Sequence, residues 1–439
     1  MAVQIPFATI SKVHKDVVVE DIFFTGLLQQ CRVNRDAPQW LIDIREQSKS
    51  WLSTLSVPTR KDEDWRFIDL SSLTAGRFIT PQNPVKALLE APLPETENSR
   101  LVFVNGVYSA DLSNVSALPE GIYVGNLDNL PDKYDAAKYF ARQPGADAFT
   151  ALNTAGGNEV TVVWVDKNIT VKNTIHLVFL NDGESEASFV QPRSLVVAET
   201  GSSLSLLEEY IGVGEYFTNA VTEVFVADRA RVNHTRIQQE STASYHIGKT
   251  AVSQRRDSYY TLNEINLGAK LYRHNPEMWQ QGEQTKTDLN GLTVATGEQT
   301  SDTHSIIALT KPYGSTNQLH KCIVSDRAHT VFNGKVFVPK EAQQTDATQL
   351  NRNLMLSPKA RVDTKPELQI TADNVKCAHG ATVSQLEAEE IFYLRSRGLT
   401  ENDANQLLID AFAAEIVACL PLESLRNKIT QTIEQKVKL

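Results

Sequence analysis

Nowhere does this chain reach the roughly 20 consecutive apolar residues of a membrane-spanning helix. Cysteine is scarce. Cys31, Cys322, Cys377 and Cys419 are the four in 439 residues, and none sits in a Cys-x-x-Cys pair. That spacing argues against a disulfide framework and fits a reducing compartment, cytosolic or plastid-like, with the cytoplasm as the expected location. Positive charge is also short, with 43 Lys and Arg against 53 Asp and Glu and a formal net charge of −10. Nucleic acid and anionic membranes call for a basic face, so neither is an expected partner. The N-terminus carries Lys12, His14, Lys15, Asp16, Glu20 and Asp21 before any long apolar run and does not read as a secretory signal. Enzyme signatures are missing too. Gly248-Lys249-Thr250 resembles the end of a phosphate loop, but Ala243 stands where its upstream glycine belongs. Gly212-Val213-Gly214 reads as a turn. No His-Glu-x-x-His or Gly-x-Ser-x-Gly occurs.

What the chain does have is three textures, giving expected domains at 1–98, 99–383 and 384–439. The first reads as helical. Asp36 and Pro38 mark a helix start, and Trp40, Ile44, Trp51 and Leu55 recur near helical spacing as one apolar stripe, stopped by Pro58. The charged run Arg60 to Phe67 follows, then a Pro-rich linker from Pro81 to Pro94. The second region is a series of short β-branched runs bounded by Gly, Asn or Asp, such as Val160–Val165 and Ile175–Leu180. Small turns with Ala recur at Ala230, Ala269 and Ala328, near multiples of about 20, a plausible coil length for a solenoid. One long all-β unit of this size is better explained by a parallel β-helix than by a sandwich. The third region is helical. Ser384 to Glu387 has the pattern of a capping box, Gly398 that of a C-terminal cap, and Thr400 that of a second N-cap. Leu408, Phe412, Ile416 and Cys419 form its apolar stripe, ended by Pro421.

Cys377 and His379 stand two apart in a predicted strand, so they share a face. Both are metal-competent ligands, and together they make half of a four-ligand site. Spacing alone also allows a small packed Cys beside a hydrogen-bonded core His. His320 and Cys322 mirror the pair, and the bland reading, a solvent-facing His with a packed Cys, is preferred there. Cys31 and Cys419 read as core. Trp65 and Phe67 read as aromatic anchors of a solvated helix or as a docking contact. Phe392, Tyr393, Arg395, Arg397 and Leu399 fit either a helical cap on the solenoid end or a protein-docking surface rich in aromatics and Arg.

Three stretches together resemble a known family. Val375-Lys-Cys377-Ala-His379-Gly-Ala-Thr-Val383 followed by Ile391 to Gly398, the run Thr59 to Leu70, and Gln344 to Leu354 resemble the SufD members of the SufB/SufD iron-sulfur cluster assembly family. The likeness runs from about Pro58 to about Phe412. Gly380 after His379 favours SufD over SufB, which carries acidic residues beside its His. The resemblance implies a mainly β fold, a right-handed parallel β-helix flanked by N-terminal and C-terminal α-helical domains. It implies a non-catalytic scaffold subunit that pairs with SufB and binds the ATPase SufC through its C-terminal helices. By motif alignment Cys377 and His379 would face the SufB interface and ligate iron or a nascent cluster there, with no cofactor held stably by this chain alone. A homodimer is the expected alternative for the isolated chain. The rival from another class is a β-helix enzyme acting on polysaccharide.

Overall fold

Two stacks of parallel strands face each other across a narrow lumen. The computed structural model describes residues 21–31, 37–81 and 91–437. The first wall stacks β1 (Arg100–Val104), β5 (Ile175–Val190), the first half of β7 (Ser203–Val226), β8 (Arg231–Gln239), β10 (Tyr259–Asn266), β12 (Lys286–Ala295), β14 (Ser315–Val324), β16 (Asp346–Met355) and β18 (Lys376–Ser384). The second stacks β4 (Val160–Val165), β6 (Arg193–Ala198), the second half of β7, β9 (Tyr245–Gln254), β11 (Leu271–Gln280), β13 (Thr300–Ala308), β15 (His329–Val338) and β17 (Arg361–Ile370). Antiparallel pairs with β2 (Val107–Asn114) and β3 (Ile122–Asn126) finish the N-terminal end. This is the expected parallel β-solenoid.

The expected coil length of about 20 residues is corrected. Tyr259 pairs with Lys286, 27 positions on, and Ser315 with Asp346, 31 positions on. The Ala-bearing turns misled because they precede strands of both walls: Ala230 leads into β8, Ala269 into β11. The corners share a backbone device instead. Arg229, Asp257, Gln284, Tyr313 and Gln344 all take left-handed φ between 55° and 61°. Each donates its N–H to the next corner's carbonyl, as in Asp257 to Glu283 and Tyr313 to Gln343. The left-handed region costs a side-chain-bearing residue free energy, and these stacked bonds offset it.

Helices cover the outer faces of both walls. α6 (Glu401–Val417) and α7 (Glu423–Lys436) bury Ile409, Ile416, Leu425 and Ile429 against outward-facing Leu207, Ile237, Leu292 and Ile323. Lys321 anchors α6 by donating to the Phe412 carbonyl at 2.9 Å and pairing with Glu415 at 2.6 Å. The second wall is covered by α1 (Ile22–Gln30), the short α3 (Ser71–Thr74) and α4 (Ala148–Gly156), with Phe24, Leu73 and Phe149 packed on Phe217 and Tyr245. α4 lies inside the region read as all β, too short and Ala-rich to show a helical stripe.

α2 (Gln39–Leu52) buries Leu41, Arg45 and Leu52, while Trp51 stays 39% exposed. Trp40 and Ile44 of the predicted stripe pack half-buried on the cluster around Phe140 and Trp164, and Arg45 beside them turns inward to donate to the Gly157 carbonyl. The helix ends at Leu52, short of Pro58. Asp36 and most of the Pro-rich stretch lie outside the described residues. Two further expectations fail. Ser384 belongs to β18 and its hydroxyl reaches the Asn353 carbonyl, so α5 (Ala388–Ser396) begins behind Glu387 without a side-chain cap. Cys419 is exposed, because the buried face of α6 runs through Ala404, Ile409, Ala413 and Ile416. The expected caps at Gly398 (φ +100°) and Thr400, which accepts from the Asp403 N–H, are present.

Candidate functional site at the open end of the solenoid

The last two strands each have one strand partner among the described residues: β18 pairs with β16, and β17 with β15. Their outer edges therefore present unpaired N–H and C=O groups. On β16 the buried, lumen-facing residues are Ala347, Gln349, Asn351 and Asn353. Their register partners on β18 are Cys377, His379, Ala381 and Val383. Cys377 and His379 thus share the lumen face at its mouth, as the i, i+2 spacing predicts.

Their surroundings differ. Cys377 is half-buried and packs with Leu368, Ile370 and Val375 against the lumen core. Burial pushes its thiol pKa up, partly opposed by the Ala347 backbone hydrogen bond, so it is a neutral thiol at pH 7. His379 is exposed, one rung beyond the Gln349 amide. Among the described residues no group of three or more His, Cys, Asp or Glu side chains is placed to hold a metal ion. The mouth offers two donors, half of what a tetrahedral metal takes.

The mirror pair is a different object. His320 and Cys322 are 3% and 1% exposed, so the expectation of a solvent-facing His320 is corrected. The His320 ring stacks on Phe332 across the lumen at 5.2 Å, and its Nε2 meets Thr293 Oγ1 at 3.2 Å. Desolvation lowers its pKa to about 4 and raises that of Cys322 to about 12. Room for the ring comes from Gly291 on the neighbouring rung, where a Cβ would lie 2.1 Å from His320 Nδ1.

Sequence reading missed a charged cluster sealed in the lumen. Arg236 donates to Tyr272 Oη and His246 Nε2; Tyr272 and His274 meet Glu264 at 2.7 and 2.9 Å. Glu208 and Glu240 pair with His234 and His246. Glu208, Arg236 and Glu264 are vertical neighbours in the stack, spaced 28 positions apart. That offset was the available signal. These carboxylates are at most 3% exposed, so they are closed to a polymeric substrate of the polysaccharide-enzyme kind.

α5 follows β18 directly. None of its residues is buried; Phe392 and Tyr393 are 75% and 57% exposed. Arg395 pairs with Glu401 at 3.0 Å, Arg397 lies over the Tyr393 ring, and Leu399 is half-buried. The Thr59 to Leu70 motif is an internal anchor, with Trp65 buried against Arg273 in a 3₁₀ turn (Glu63–Trp65).

Comparison with known proteins gives the family. A family model for the SufBD core domain of the SUF system for FeS cluster assembly matches residues 179–412, and one for the SufBD protein N-terminal region matches 24–177. A SufBD family iron-sulfur cluster assembly protein of Synechocystis is 46% identical over 97% of both chains. The iron-sulfur cluster assembly protein SufD of Escherichia coli is 31% identical over 89% of this chain and 92% of its own. The chloroplastic protein ABCI7 of Arabidopsis thaliana is 38% identical over 88% of this chain and 84% of its own. Family models matching most of the chain, together with relatives at 31–46% identity over most of its length, make the chain a member of the SufBD family of iron-sulfur cluster assembly proteins.

Proposed function

We propose that this chain is a non-catalytic scaffold subunit on which iron-sulfur clusters are built at an interface with SufB. The observation that carries the reading is the Cys377–His379 half-site on the lumen face of the last rung, at an unfinished solenoid end. A β-helix partner adding strands to β17 and β18 would satisfy their open backbone groups. It would also bring its own ligands to the two donors. Iron and the nascent cluster are cargo here, bound through His379 with Cys377 as a second or supporting ligand. ATP hydrolysis belongs to SufC, which docks on the C-terminal helices. Phe392 and Tyr393 are large apolar groups left in water, and such aromatics anchor interfaces.

The test is co-purification with SufB and SufC, comparing wild type with His379→Ala. The expected result is an intact complex with reduced iron content and reduced cluster formation. Wild-type iron content and cluster yield in the variant would overturn the role of His379. Reversing Arg395 and Arg397 to Glu is expected to abolish SufC binding and leave SufB pairing in place. The same open edge also fits a second copy of the chain, so sedimentation without SufB is expected to show a dimer that SufB displaces.

A further inference from the structure

α1 is apolar on more than one face. Ile22, Phe23, Phe24, Leu27 and Leu28 put five large apolar side chains into nine residues. Phe24 and Leu27 are buried in the cluster with Phe149 and Phe217, on the solenoid side. Ile22 is 87% exposed and Phe23 half-buried. A surface helix confines its apolar residues to one stripe, whereas a helix that is apolar around its circumference is covered on both sides.

The second side opens onto a groove of about 1010 Å³, walled by α1, residues 57–60, α3 and residues 76–79. Ile22, Phe23, Val57, Pro58, Leu70 and Ile79 give it an apolar lining. It is open at Gly26, where a Cβ would meet nothing within 4 Å. The carboxylates and the amide in the lining are already engaged. Asp21 accepts from the Phe23 and Val57 N–H groups, and Asp69 from that of Ser71. Gln30 donates to the Phe78 carbonyl and accepts from the Thr80 N–H. A polar small molecule is held by a few placed donors and acceptors. With these groups taken, the lining suits an apolar stretch of chain better.

Such a stretch is joined directly to the rim. Asp21, which caps α1, also lines the groove, and residues 1–20, outside the described residues, lead into it. Eleven of those 20 residues are apolar, Val3, Ile5, Phe7, Ile10, Val13 and Val17 to Val19 among them, against 41% of the whole chain. A segment attached at the rim needs little loop closure to enter. Its tether gives it an effective concentration on the order of millimolar, which a separate molecule would have to match. The apolar residues of 82–90 are drawn elsewhere: just beyond them Leu93 packs with α6 and α7, and Glu95 accepts from the Ser424 N–H of α7.

We propose that residues 1–20 dock in this groove in cis, as an apolar clasp that holds α1 between itself and the second wall.

Hydrogen–deuterium exchange of the full chain, read by mass spectrometry, tests the clasp. Amides of residues 1–20 are expected to exchange at least tenfold more slowly than in the same sequence as a free peptide. Gly26→Trp fills the groove and is expected to abolish that protection. Ile22→Asp puts a charge at the rim, and an acid in the first turn favours the helix. It is therefore expected to weaken the protection with α1 intact. The strands of both walls report in each variant that the fold is kept. Absence of protection in the wild type would overturn the inference, as would protection that survives both substitutions. Protection that fades on dilution would assign the groove to the segment of a second copy and overturn docking in cis. None of these readouts involves iron or the solenoid mouth, so failure here and failure of the His379 role are distinguishable.

Discussion

The guanidinium of Arg273 lies 3.9 Å from the centre of the Trp65 ring, while its Nη1 donates both to the Asp302 carboxylate and to the Asp64 carbonyl. One side chain thus joins the N-terminal segment to the outer face of the second wall. Trp65→Ala removes a buried indole and the cation–π contact. Unfolding free energy is expected to fall by about 3–5 kcal/mol in chemical denaturation.

Arg273→Met keeps the stem and removes the charge that Asp302 faces. Burial already holds the Asp302 pKa up at about 6. A carboxyl with a raised folded pKa takes up its proton earlier in the folded state, so its contribution to stability falls as pH rises from about 4 through 6. Without Arg273 the carboxyl is held up further and the window extends to higher pH. The variant is expected to lose more stability at pH 8 than at pH 5, and an equal loss at both would contradict the pairing.

His320 titrates in the opposite sense. Its folded pKa of about 4 lies below the ordinary 6.5, through desolvation. The unfolded chain therefore binds a proton between pH 6.5 and 4 that the folded chain refuses. Stability present above pH 6.5 is lost across that window, at up to about 1.4 kcal/mol per pH unit for one proton. His320→Asn is expected to flatten the pH–stability curve by that amount relative to wild type. An unaltered slope would place the proton elsewhere.

Gly291→Ala tests the same ring by sterics. The new Cβ would meet His320 Nδ1 at 2.1 Å, and the ring is held on its other side by Phe332. Overpacking of this kind costs about 1–3 kcal/mol. The expected readout is a lowered Tm together with a shifted His320 imidazole resonance.

Phe392→Glu and Tyr393→Glu are expected to leave stability within about 0.5 kcal/mol, since α5 buries nothing. Thermal melts of the isolated chain measure this. A large drop would mean that the aromatics already hold an internal contact.

The strands were legible because β-branched runs such as Val160–Val165 bound by turn residues carry their own signal. The pairing of Cys377 with His379 on one face followed from period two alone. Other features were not legible, because they depend on register. The column Glu208–Arg236–Glu264 repeats at 28 positions, but later coils of 27 and 31 residues break that period, so no repeat along the whole chain announces it. His320 alternates with neighbours as a half-exposed strand residue would, and only the outer cover of α6 makes both of its wall's faces interior. Ser384 carried a helix-start pattern that the last ladder with β16 overrode.

The left-handed corners carry an evolutionary consequence. Both walls fix their register through every rung, so a residue gained or lost inside a strand would flip each side chain beyond it. The corners alone can change length without disturbing either wall, and their backbone bonds run from coil to coil whatever the side chain, whether Arg229, Asp257, Gln284 or Tyr313. Insertions and deletions among descendants of this chain should therefore collect at the corners, where the ladder is indifferent to sequence. A coil that grew from 27 to 31 residues would leave the lumen columns in line.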